Sequence, residues 1–359
     1  MTYILRPVLK IFITFSSNSQ ITMSYADIKT LLVFLGVTIL MYPWEKDSGS
    51  GLIYTDTNRE SSSAFINKVE RVKTDGYRTI IKYEDGFLAA GSGGRIDRIS
   101  ISGKILKSEK FPGEDFNCII SDNQTLIAGG DRGTIMISSD KGIFRKTDSG
   151  TDKNINSLTL FNGTIIAATD GGEIIAGDGR GFFRKYHLAL KGNIVSVSAR
   201  RTDCYGVTDK GEIIHSVDGI NWEIFDFNKV YSGFYRPCYF SKVLVTENRI
   251  AVAGVSNDGS PVLMFSNQGN VWTERTLIYT DDQGIKGYLL DFPNDIFYDD
   301  SEDQYFLACN NGKLMKLPSC SQCNIMETLS DIDLTGISCN ESTMMIIGEN
   351  YFIKTVILR

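Results

Sequence analysis

The sequence predicts an all-β fold: a seven-bladed β-propeller of four-stranded antiparallel blades whose last blade is closed by an N-terminal strand. Three observations support this prediction, namely a repeat of 39 residues, a strand-and-turn pattern inside each repeat, and a last repeat that lacks one strand. The chain has 359 residues, of which 42% are hydrophobic and 22% charged, with 34 glycines. This is the composition of a globular protein, and all-β domains of about 250 residues are common. We therefore expect one propeller domain over residues 51–359.

The repeat is visible in glycine-containing segments that recur at a fixed distance. Four equivalent glycines follow one another at intervals of 39 residues: Gly94, Gly133, Gly172 and Gly211. The pattern continues at wider or similar spacings of 48, 53 and 38 residues to Gly259, Gly312 and Asn350. A period of about 20 to 50 residues indicates a repeat architecture, and seven units predict seven blades.

The third repeat shows what one unit contains. Two segments rich in β-forming residues, INSLTLF and TIIAAT, flank Asn162-Gly163, which is the strongest two-residue hairpin signal. A turn at Asp170-Gly171-Gly172 leads to EIIA, and a turn at Gly177-Asp178-Gly179 leads to FFRKY. Four short antiparallel strands per repeat are typical of a propeller blade.

The two ends of the propeller sequence complement each other. The last repeat offers three strands, around IDLTGISC, TMMIIGE and YFIKTVIL, and then ends at Arg359. A further segment of strand-forming residues, Ser63–Val72, precedes the first full repeat. Because open sheet edges promote aggregation, we expect this segment to become the outer strand of the last blade.

The turn between the third and fourth strands follows one plan in four consecutive repeats. The four segments are SSDKGIF from Ser138, AGDGRGF from Ala176, SVDGINW from Ser216 and SNQGNVW from Ser266. In this plan a carboxylate accepts backbone N–H groups across the turn, glycine allows positive φ, and an aromatic ring packs between blades. The residues expected in these structural roles are Asp140, Asp178, Asp218, Trp222 and Trp272.

At these turns the sequence resembles the Asp-box, or BNR, repeats of sialidase-like propellers, and it is similar to propellers of the photosystem II stability/assembly factor type. The resemblance covers roughly residues 51–359 and implies the propeller fold. Resemblance to sialidases also implies a glycan-active hydrolase with a carboxylate-binding arginine cluster and an early Arg-Ile-Pro motif. This chain has only Tyr235-Arg236-Pro237, in the middle of the sequence. Hydrolysis by carboxylates in the central channel is therefore the alternative to a non-enzymatic function.

Composition limits the other functional classes. A net charge of −6 and a pI near 5.2 argue against nucleic-acid binding, which needs a basic surface. Only two histidines occur, His187 and His215, and neither adjoins a recognisable nucleophile. No metal site or cofactor is predicted.

Seven cysteines divide into three groups. Those within predicted strands are expected to be small buried residues, namely Cys118, Cys204, Cys309 and Cys339. Cys238 lies in a longer connection between strands. Cys320 and Cys323 form C-x-x-C at the turn position, where a local disulfide is one interpretation for an exported protein and a zinc half-site would need further ligands.

The first 50 residues form an N-terminal leader. Residues 31–44, LLVFLGVTILMYPW, are continuously apolar, which is short for a spanning helix and typical of a signal peptide or signal anchor; a buried extension is the alternative. Cleavage stays open, as does the start codon, Met1 or Met23. We expect an exported protein, located in the periplasm, the cell envelope or outside the cell, with membrane contact only through this segment.

Two departures from the repeat mark the predicted binding site. They add 9 residues between Gly211 and Gly259 and 14 between Gly259 and Gly312. Aromatic rings with arginine or carboxylates favour a protein or glycan partner, and packing against blades 4 to 6 is the competing interpretation. The expected contact residues, on loops over the central channel, are Tyr231, Tyr235, Arg236, Tyr279, Asp281, Asp282 and Tyr288. The first hypothesis is a monomeric, non-enzymatic binding or assembly scaffold; the others are the hydrolase and a structural module of a larger complex.

Overall fold

A computed structural model describes residues 74–358 except 123–124, 139–142, 179–180, 282 and 319–323. Seven sheets are arranged in a ring, one for each predicted repeat, and the strands of each blade are antiparallel to their neighbours within the blade. The predicted β-propeller is therefore confirmed. The leader at 1–50 and the expected closing strand at Ser63–Val72 lie outside the described residues.

The first four blades have four consecutive antiparallel strands each, ordered from the channel outwards. Blade 1 comprises β1 (Tyr77–Tyr83), β2 (Gly86–Gly91), β3 (Arg95–Ser100) and β4 (Ile105–Lys110). Blade 2 comprises β5 (Phe116–Ser121), β6 (Leu126–Gly130), β7 (Ile135–Ser138) and β8 (Arg145–Thr147). Blade 3 comprises β9 (Ile155–Phe161), β10 (Thr164–Thr169), β11 (Glu173–Gly177) and β12 (Phe183–His187). Blade 4 comprises β13 (Ile194–Arg200), β14 (Asp203–Thr208), β15 (Glu212–Ser216) and β16 (Glu223–Asp226).

The remaining blades carry the insertions and the incomplete repeat. A short helix, α1 (Phe227–Val230), precedes blade 5, which comprises β17 (Cys238–Val245), β18 (Ile250–Ser256), β19 (Pro261–Ser266) and β20 (Thr273–Glu274). A hairpin of β21 (Ile278–Thr280) and β22 (Lys286–Tyr288) follows. Blade 6 comprises β23 (Pro293–Asp299), β24 (Gln304–Cys309), β25 (Lys313–Pro318) and β26 (Asn324–Thr328). The described part of blade 7 comprises β27 (Leu334–Asn340), β28 (Thr343–Gly348) and β29 (Ile353–Ile357).

The third repeat folds as its turn residues predict. Asn162 and Gly163, with φ of 51° and 77°, join β9 to β10 in a two-residue hairpin. Gly171 and Gly172 also have positive φ, 68° and 71°, at the next turn. These left-handed conformations favour Asn and Gly over residues with larger side chains.

The core consists of apolar clusters between neighbouring blades. Middle strands supply most of the buried residues, because their two faces each pack on an adjacent blade. Blades 7 and 1 share such a cluster, in which Phe87 and Ile99 pack with Met345 and Ile347. The Thr335 hydroxyl also donates to the Tyr77 carbonyl at 2.7 Å. The ring is thus closed by ordinary blade-to-blade packing.

A β-bulge occurs near the start of every innermost strand, at the second residue in six blades and at the fourth residue in blade 5. At each of these points the ladder to the next strand skips one residue. The skipped residues are Arg78, Asn117, Asn156, Val195, Ser241, Asn294 and Thr335. Five of these side chains donate to the first backbone carbonyl of the following blade, so the bulges link successive blades around the channel.

The second insertion does not lie over the channel as expected. Its hairpin extends blade 6 outwards, because β21 pairs in parallel with β26, the outermost strand of the blade. Asn324 strengthens this contact by donating to the Ile278 carbonyl at 2.6 Å. Pairing with an otherwise open outer edge explains why the insertion moves to the rim.

Candidate functional site

The first insertion begins with helix α1, which leads the chain from blade 4 to blade 5. The Asp226 carboxylate caps the helix by accepting the Lys229 N–H at 3.1 Å. Asn228 fixes the insertion to both neighbouring blades. Its amide donates to the Lys210 carbonyl of blade 4 at 3.3 Å and to the Cys238 carbonyl of blade 5 at 2.8 Å, and it accepts the Cys238 N–H at 2.7 Å. The insertion is therefore an ordered part of the propeller surface.

Two tyrosines predicted as partner contacts anchor this insertion to blade 5. The Tyr231 hydroxyl accepts the Trp272 N–H at 3.0 Å, and the Tyr235 hydroxyl donates to the Trp272 carbonyl at 3.3 Å. Both rings stack on Phe227, with ring centroids 4.8 and 6.0 Å away. The structure thus places Tyr231 and Tyr235 together in packing positions.

The neighbouring Phe234 and Arg236 point to solvent. Phe234 is 82% exposed, and its ring makes an edge contact with that of Tyr231. Arg236 is exposed and forms an ion pair with Asp258. Burial raises the pKa of Glu274, an effect that the positive charge of Arg236 partly offsets. The first insertion therefore exposes an aromatic ring and, two residues later, a guanidinium group that is paired with Asp258.

The second insertion combines one packed and one exposed tyrosine. Tyr279 packs on the apolar cluster of blades 5 and 6, and burial followed by the charges of Asp281 and Asp291 raises its pKa. Asp281 accepts the N–H groups of Gln283 and Ile285 at 3.0 and 2.7 Å, so it stabilises the hairpin turn. Tyr288 is 67% exposed. Asp282 lies outside the described residues.

The two insertions form separate patches. Tyr231 and Tyr235 pack on the apolar cluster that blades 4 and 5 share, whereas Tyr279 packs on the cluster of blades 5 and 6. Each insertion uses some rings for packing and leaves one aromatic ring exposed. Packing thus accounts for Tyr231, Tyr235 and Tyr279, whereas the rings of Phe234 and Tyr288 are exposed.

A cleft of about 430 Å³ opens beside helix α1 on blades 3 and 4. It is lined by Gly171, Leu190, Lys191, Gly192, Asn193, Asp209 and Lys210. Lys191 donates to the Asp226 carboxylate at 2.5 Å, and this hydrogen bond raises the lysine pKa. The cleft residues belong to regular repeats, so no departure from the 39-residue pattern marks them in the sequence.

The turn residues occupy several different environments. Asp218 Oδ1 accepts the N–H groups of Ile220 and Asn221 at 2.8 and 2.7 Å, and these bonds lower its pKa. Trp272 is buried and donates to the Gly269 carbonyl at 3.0 Å, while Trp222 is half-buried against the cluster of blades 3 and 4. Asp178 is exposed, and Asp140 lies outside the described residues.

The aromatic position of the blade 3 turn differs from the expectation. Phe182, the seventh residue of AGDGRGF, is 77% exposed, and its neighbour Phe183 packs against the cluster of blades 2 and 3 instead. Phe183 lies 39 residues after Phe144 and 39 before Trp222. The repeat register, and not the count from the first turn residue, therefore determines which ring packs against the cluster.

The cysteines show one further correction. Cys118, Cys204 and Cys309 are buried strand residues, and Cys339 is half-buried in β27. Cys238, which the sequence placed in a connection, opens strand β17 and is buried because the insertion ends before it. Cys320 and Cys323 lie outside the described residues.

Asp295, in the innermost strand β23, contacts two neighbouring blades. Asp295 Oδ1 lies 2.7 Å from Lys242 Nζ, and Asp295 Oδ2 accepts the Ile337 N–H at 3.0 Å. Both oxygens thus link blades 5, 6 and 7. His215 Nε2 lies 2.8 Å from Asp203 Oδ1 and its ring stacks on Tyr205. Among the described residues, no three His, Cys, Asp or Glu side chains lie together as metal ligands.

Comparisons with known proteins show the fold. The chain is similar to YCF48 bound to a D1 peptide, with 12% identity, a TM-score of 0.59, and coverage of 84% of this chain and 100% of that one. It is also similar to the WD40 propeller domain of Doa1, with 13% identity, a TM-score of 0.61, and coverage of 81% and 95%. The designed protein Ika8 matches at 9% identity and a TM-score of 0.55, over 81% and 98%. The likeness is one of fold.

Sequence comparisons add no family. No protein-family model matches the chain, and no curated protein matches it. In the part of the chain that the structure describes, no helix has the length and apolar character needed to cross a membrane.

Proposed function

We propose that this protein is a non-enzymatic binding scaffold that captures a protein partner through its two insertions. The proposed contact, here called the insertion surface, comprises Val230, Phe234, Arg236, Tyr288 and Leu290. The observation that carries the proposal is that each insertion buries or hydrogen-bonds some of its rings yet leaves one aromatic side chain exposed. Aromatic residues and arginine dominate binding hot spots in protein interfaces.

The fold comparison supports a protein partner. A propeller of similar fold, YCF48, has been solved with a bound D1 peptide, and propellers generally recognise partners through segments that depart from the repeat. We place this activity at the cell envelope or outside the cell, because residues 31–44 have the length and apolar character of an export signal. This segment lies outside the described residues.

The proposal is tested by capture from the native envelope with wild-type protein and two variants, Phe234→Ser and Tyr288→Ser. Both side chains are exposed, so the substitutions leave the core intact. We expect the captured partner to bind each variant less tightly, by about 30-fold for a hot-spot residue. Isothermal titration with the purified partner measures this change.

Val217→Ser is the control, because it also removes an exposed apolar side chain, but from the turn between β15 and β16, which belongs to neither insertion. A partner that the control variant retains and the insertion variants lose supports the insertion surface. A partner that binds all variants equally contradicts it. If the captured molecule is a glycan and its binding depends on Phe234 and Tyr288 in the same way, the partner is a carbohydrate and not a protein.

A further inference from the structure

The outermost strands of blades 1 to 3 carry a basic pattern in register with the repeat. Lysines recur at intervals of 39 residues, and two arginines precede the second and third of them. The residues are Lys107 in β4, Arg145 and Lys146 in β8, and Arg184 and Lys185 in β12. The register-equivalent positions of blade 4 hold Glu223 and Ile224, so the pattern stops there.

The lysines and arginines of this pattern differ in their partners. Each lysine faces a carboxylate: Lys107 lies 2.6 Å from Glu109, Lys146 lies 2.5 Å from Glu114, and Lys185 lies 3.3 Å from Glu173. Arg145 and Arg184 are exposed, and no ion pair among the described residues includes either one. In the part of the chain that the structure describes, two guanidinium groups of an acidic protein thus project from these outer strands without an ion-pair partner.

Large apolar side chains accompany these arginines. Ile143 and Phe182, two residues before Arg145 and Arg184, are 65% and 77% exposed. In each blade the intervening residue, Phe144 or Phe183, already packs against the inter-blade cluster. Leu106 of blade 1, in register with the arginines, is also exposed. Blades 2 and 3 therefore repeat the same arrangement: an exposed apolar residue, a packed phenylalanine, an arginine and a lysine.

We propose that this basic rim, defined as Leu106, Ile143, Arg145, Phe182 and Arg184, docks onto an anionic lipid surface. Interfacial binding needs apolar side chains that enter the acyl boundary and cations that meet anionic headgroups. The rim supplies both on consecutive blades. It lies apart from the insertion surface on blades 4 to 6, so the inference is independent of the proposed partner.

Charge and side-chain shape favour lipid over single-stranded nucleic acid. Binding of single strands relies on aromatic platforms for the bases, whereas Leu106 and Ile143 are aliphatic. The side chains also follow the rim from blade to blade, one or two per blade, which suits an extended surface. The predicted membrane contact of residues 31–44 is different, because it depends on a continuously apolar segment and not on charged side chains.

The test measures how the full-length protein partitions onto vesicles of phosphatidylcholine with and without about 30% phosphatidylglycerol. We expect wild-type protein to prefer the anionic vesicles and this preference to weaken with added salt. The variant R145Q/R184Q should lose about 30-fold in that preference, since each cation near an anionic surface contributes a factor of about five. Because the leader binds lipid by itself under this model, the readout is the anionic preference and not total binding.

The matched control is K229Q/K354Q, which removes the same charge from exposed positions in α1 and β29. It should keep the anionic preference. A second measurement uses Phe182→Trp and lipids with brominated acyl chains, which quench tryptophan fluorescence. The variant should be quenched more than the wild-type protein, whose signal comes from the native tryptophans alone. Equal preference in both double variants, no added quenching at residue 182, or binding of soluble polyglutamate in place of anionic vesicles would each overturn the proposal.

Discussion

The side-chain amide of Asn156 joins two blades, because its Nδ2 atom donates to the carbonyl oxygen of Ile194, 3.0 Å away. Asn156 occupies the bulge of β9, and Ile194 is the first residue of β13. The same amide also donates to Asp170 Oδ1 at 2.8 Å. Asn117 repeats this arrangement one blade earlier, with the Ile155 carbonyl at 3.1 Å. The bulge thus frees a side chain from the ladder and directs it to the next blade.

Asn156→Val should lower the free energy of unfolding by about 1 to 3 kcal/mol, because it removes two hydrogen bonds and leaves the carbonyl and carboxylate partners with fewer donors. Urea unfolding followed by tryptophan fluorescence measures the change. Val195 occupies the equivalent bulge of blade 4, so Val195→Thr is the control. We expect that control to stay within about 0.5 kcal/mol of wild type, and equal losses in both variants would contradict the link.

Removal of residues 1–73 should destabilise blade 7. In blades 1 and 6 the outer strand ends at Lys110 and Thr328, six residues before the next innermost strand. The same spacing before Tyr77 places the end of the predicted strand at about residue 71. Hydrogen exchange should therefore be slow at the outward amides of β29 in the full chain and fast in the truncated one.

Removal of residues 1–50 serves as the control for that truncation, because it leaves Ser63–Val72 in place. Thr355 is a suitable probe because its amide points outward. In β29 the amides that bond to β28 alternate with the outward ones, and Thr355 belongs to the outward set. Equal exchange at Thr355 in both truncated proteins would show that another segment, or none, covers this edge.

The fold was predictable because one register repeats seven times. Most repeats place a glycine-containing turn between short apolar strands, and these local signals agree with one another. The 39-residue spacing was also the better guide to packing. It identifies Phe183 as the ring of blade 3 that packs against the apolar cluster, whereas counting along the turn motif selects Phe182, which is exposed.

The placement of the candidate site was only partly predictable. Sequence identified both insertions, since they break the repeat length, but it could not reveal which outer edge the second one would pair with. Parallel pairing of β21 with β26 joins residues that are 45 positions apart, such as Tyr279 and Asn324, and no local pattern encodes it. Likewise, nothing in the sequence distinguishes Tyr231 and Tyr235 from Phe234. The two tyrosines are anchored because their hydroxyl groups reach the Trp272 backbone, and this contact is visible only in the structure.

Tyr231→Phe should destabilise the first insertion, whereas Phe234→Ser should not. Tyr231 loses a hydroxyl that accepts the Trp272 N–H at 3.0 Å, at a cost of about 1 kcal/mol. Phe234 is almost fully exposed. Thermal unfolding measures both variants, and partner affinity should show the opposite order. A larger stability loss for Phe234→Ser would mean that this ring packs in solution.

The Asp218 carboxylate should stabilise the folded protein at neutral pH and lose this effect at acidic pH. Backbone N–H groups of Asn221 and Ile220 lower the pKa of its carboxyl group. A group whose folded pKa is lowered contributes fully above its unfolded pKa, near 4, and loses this contribution as the pH falls toward the folded value. Asp218→Ala should therefore be less stable than wild type at pH 7, and the difference should shrink below about pH 4. A difference that is constant from pH 7 to pH 2 would contradict this account.

The cysteines should react in two stages. Burial raises the pKa of Cys204 to about 12, and burial raises that of Cys238 to about 12 as well. In native protein at pH 8 these thiols, together with the buried Cys309, should resist a thiol-specific disulfide reagent. Unfolding without reductant should expose five thiols if the predicted Cys320–Cys323 disulfide exists, and prior reduction should raise the count to seven.

Cys320→Ser is the decisive variant, because it converts the predicted disulfide into one additional thiol at Cys323. Unfolded without reductant, this variant should then react at six positions, against five for the parent protein. Seven reactive thiols in the unreduced wild-type protein would show that Cys320 and Cys323 are reduced. The raised thiol pKa values give a second check, because unfolded thiols ionise near pH 9 while the folded ones stay neutral. Stability should accordingly fall as the pH rises above about 9, and Cys204→Val should fall less steeply than wild type.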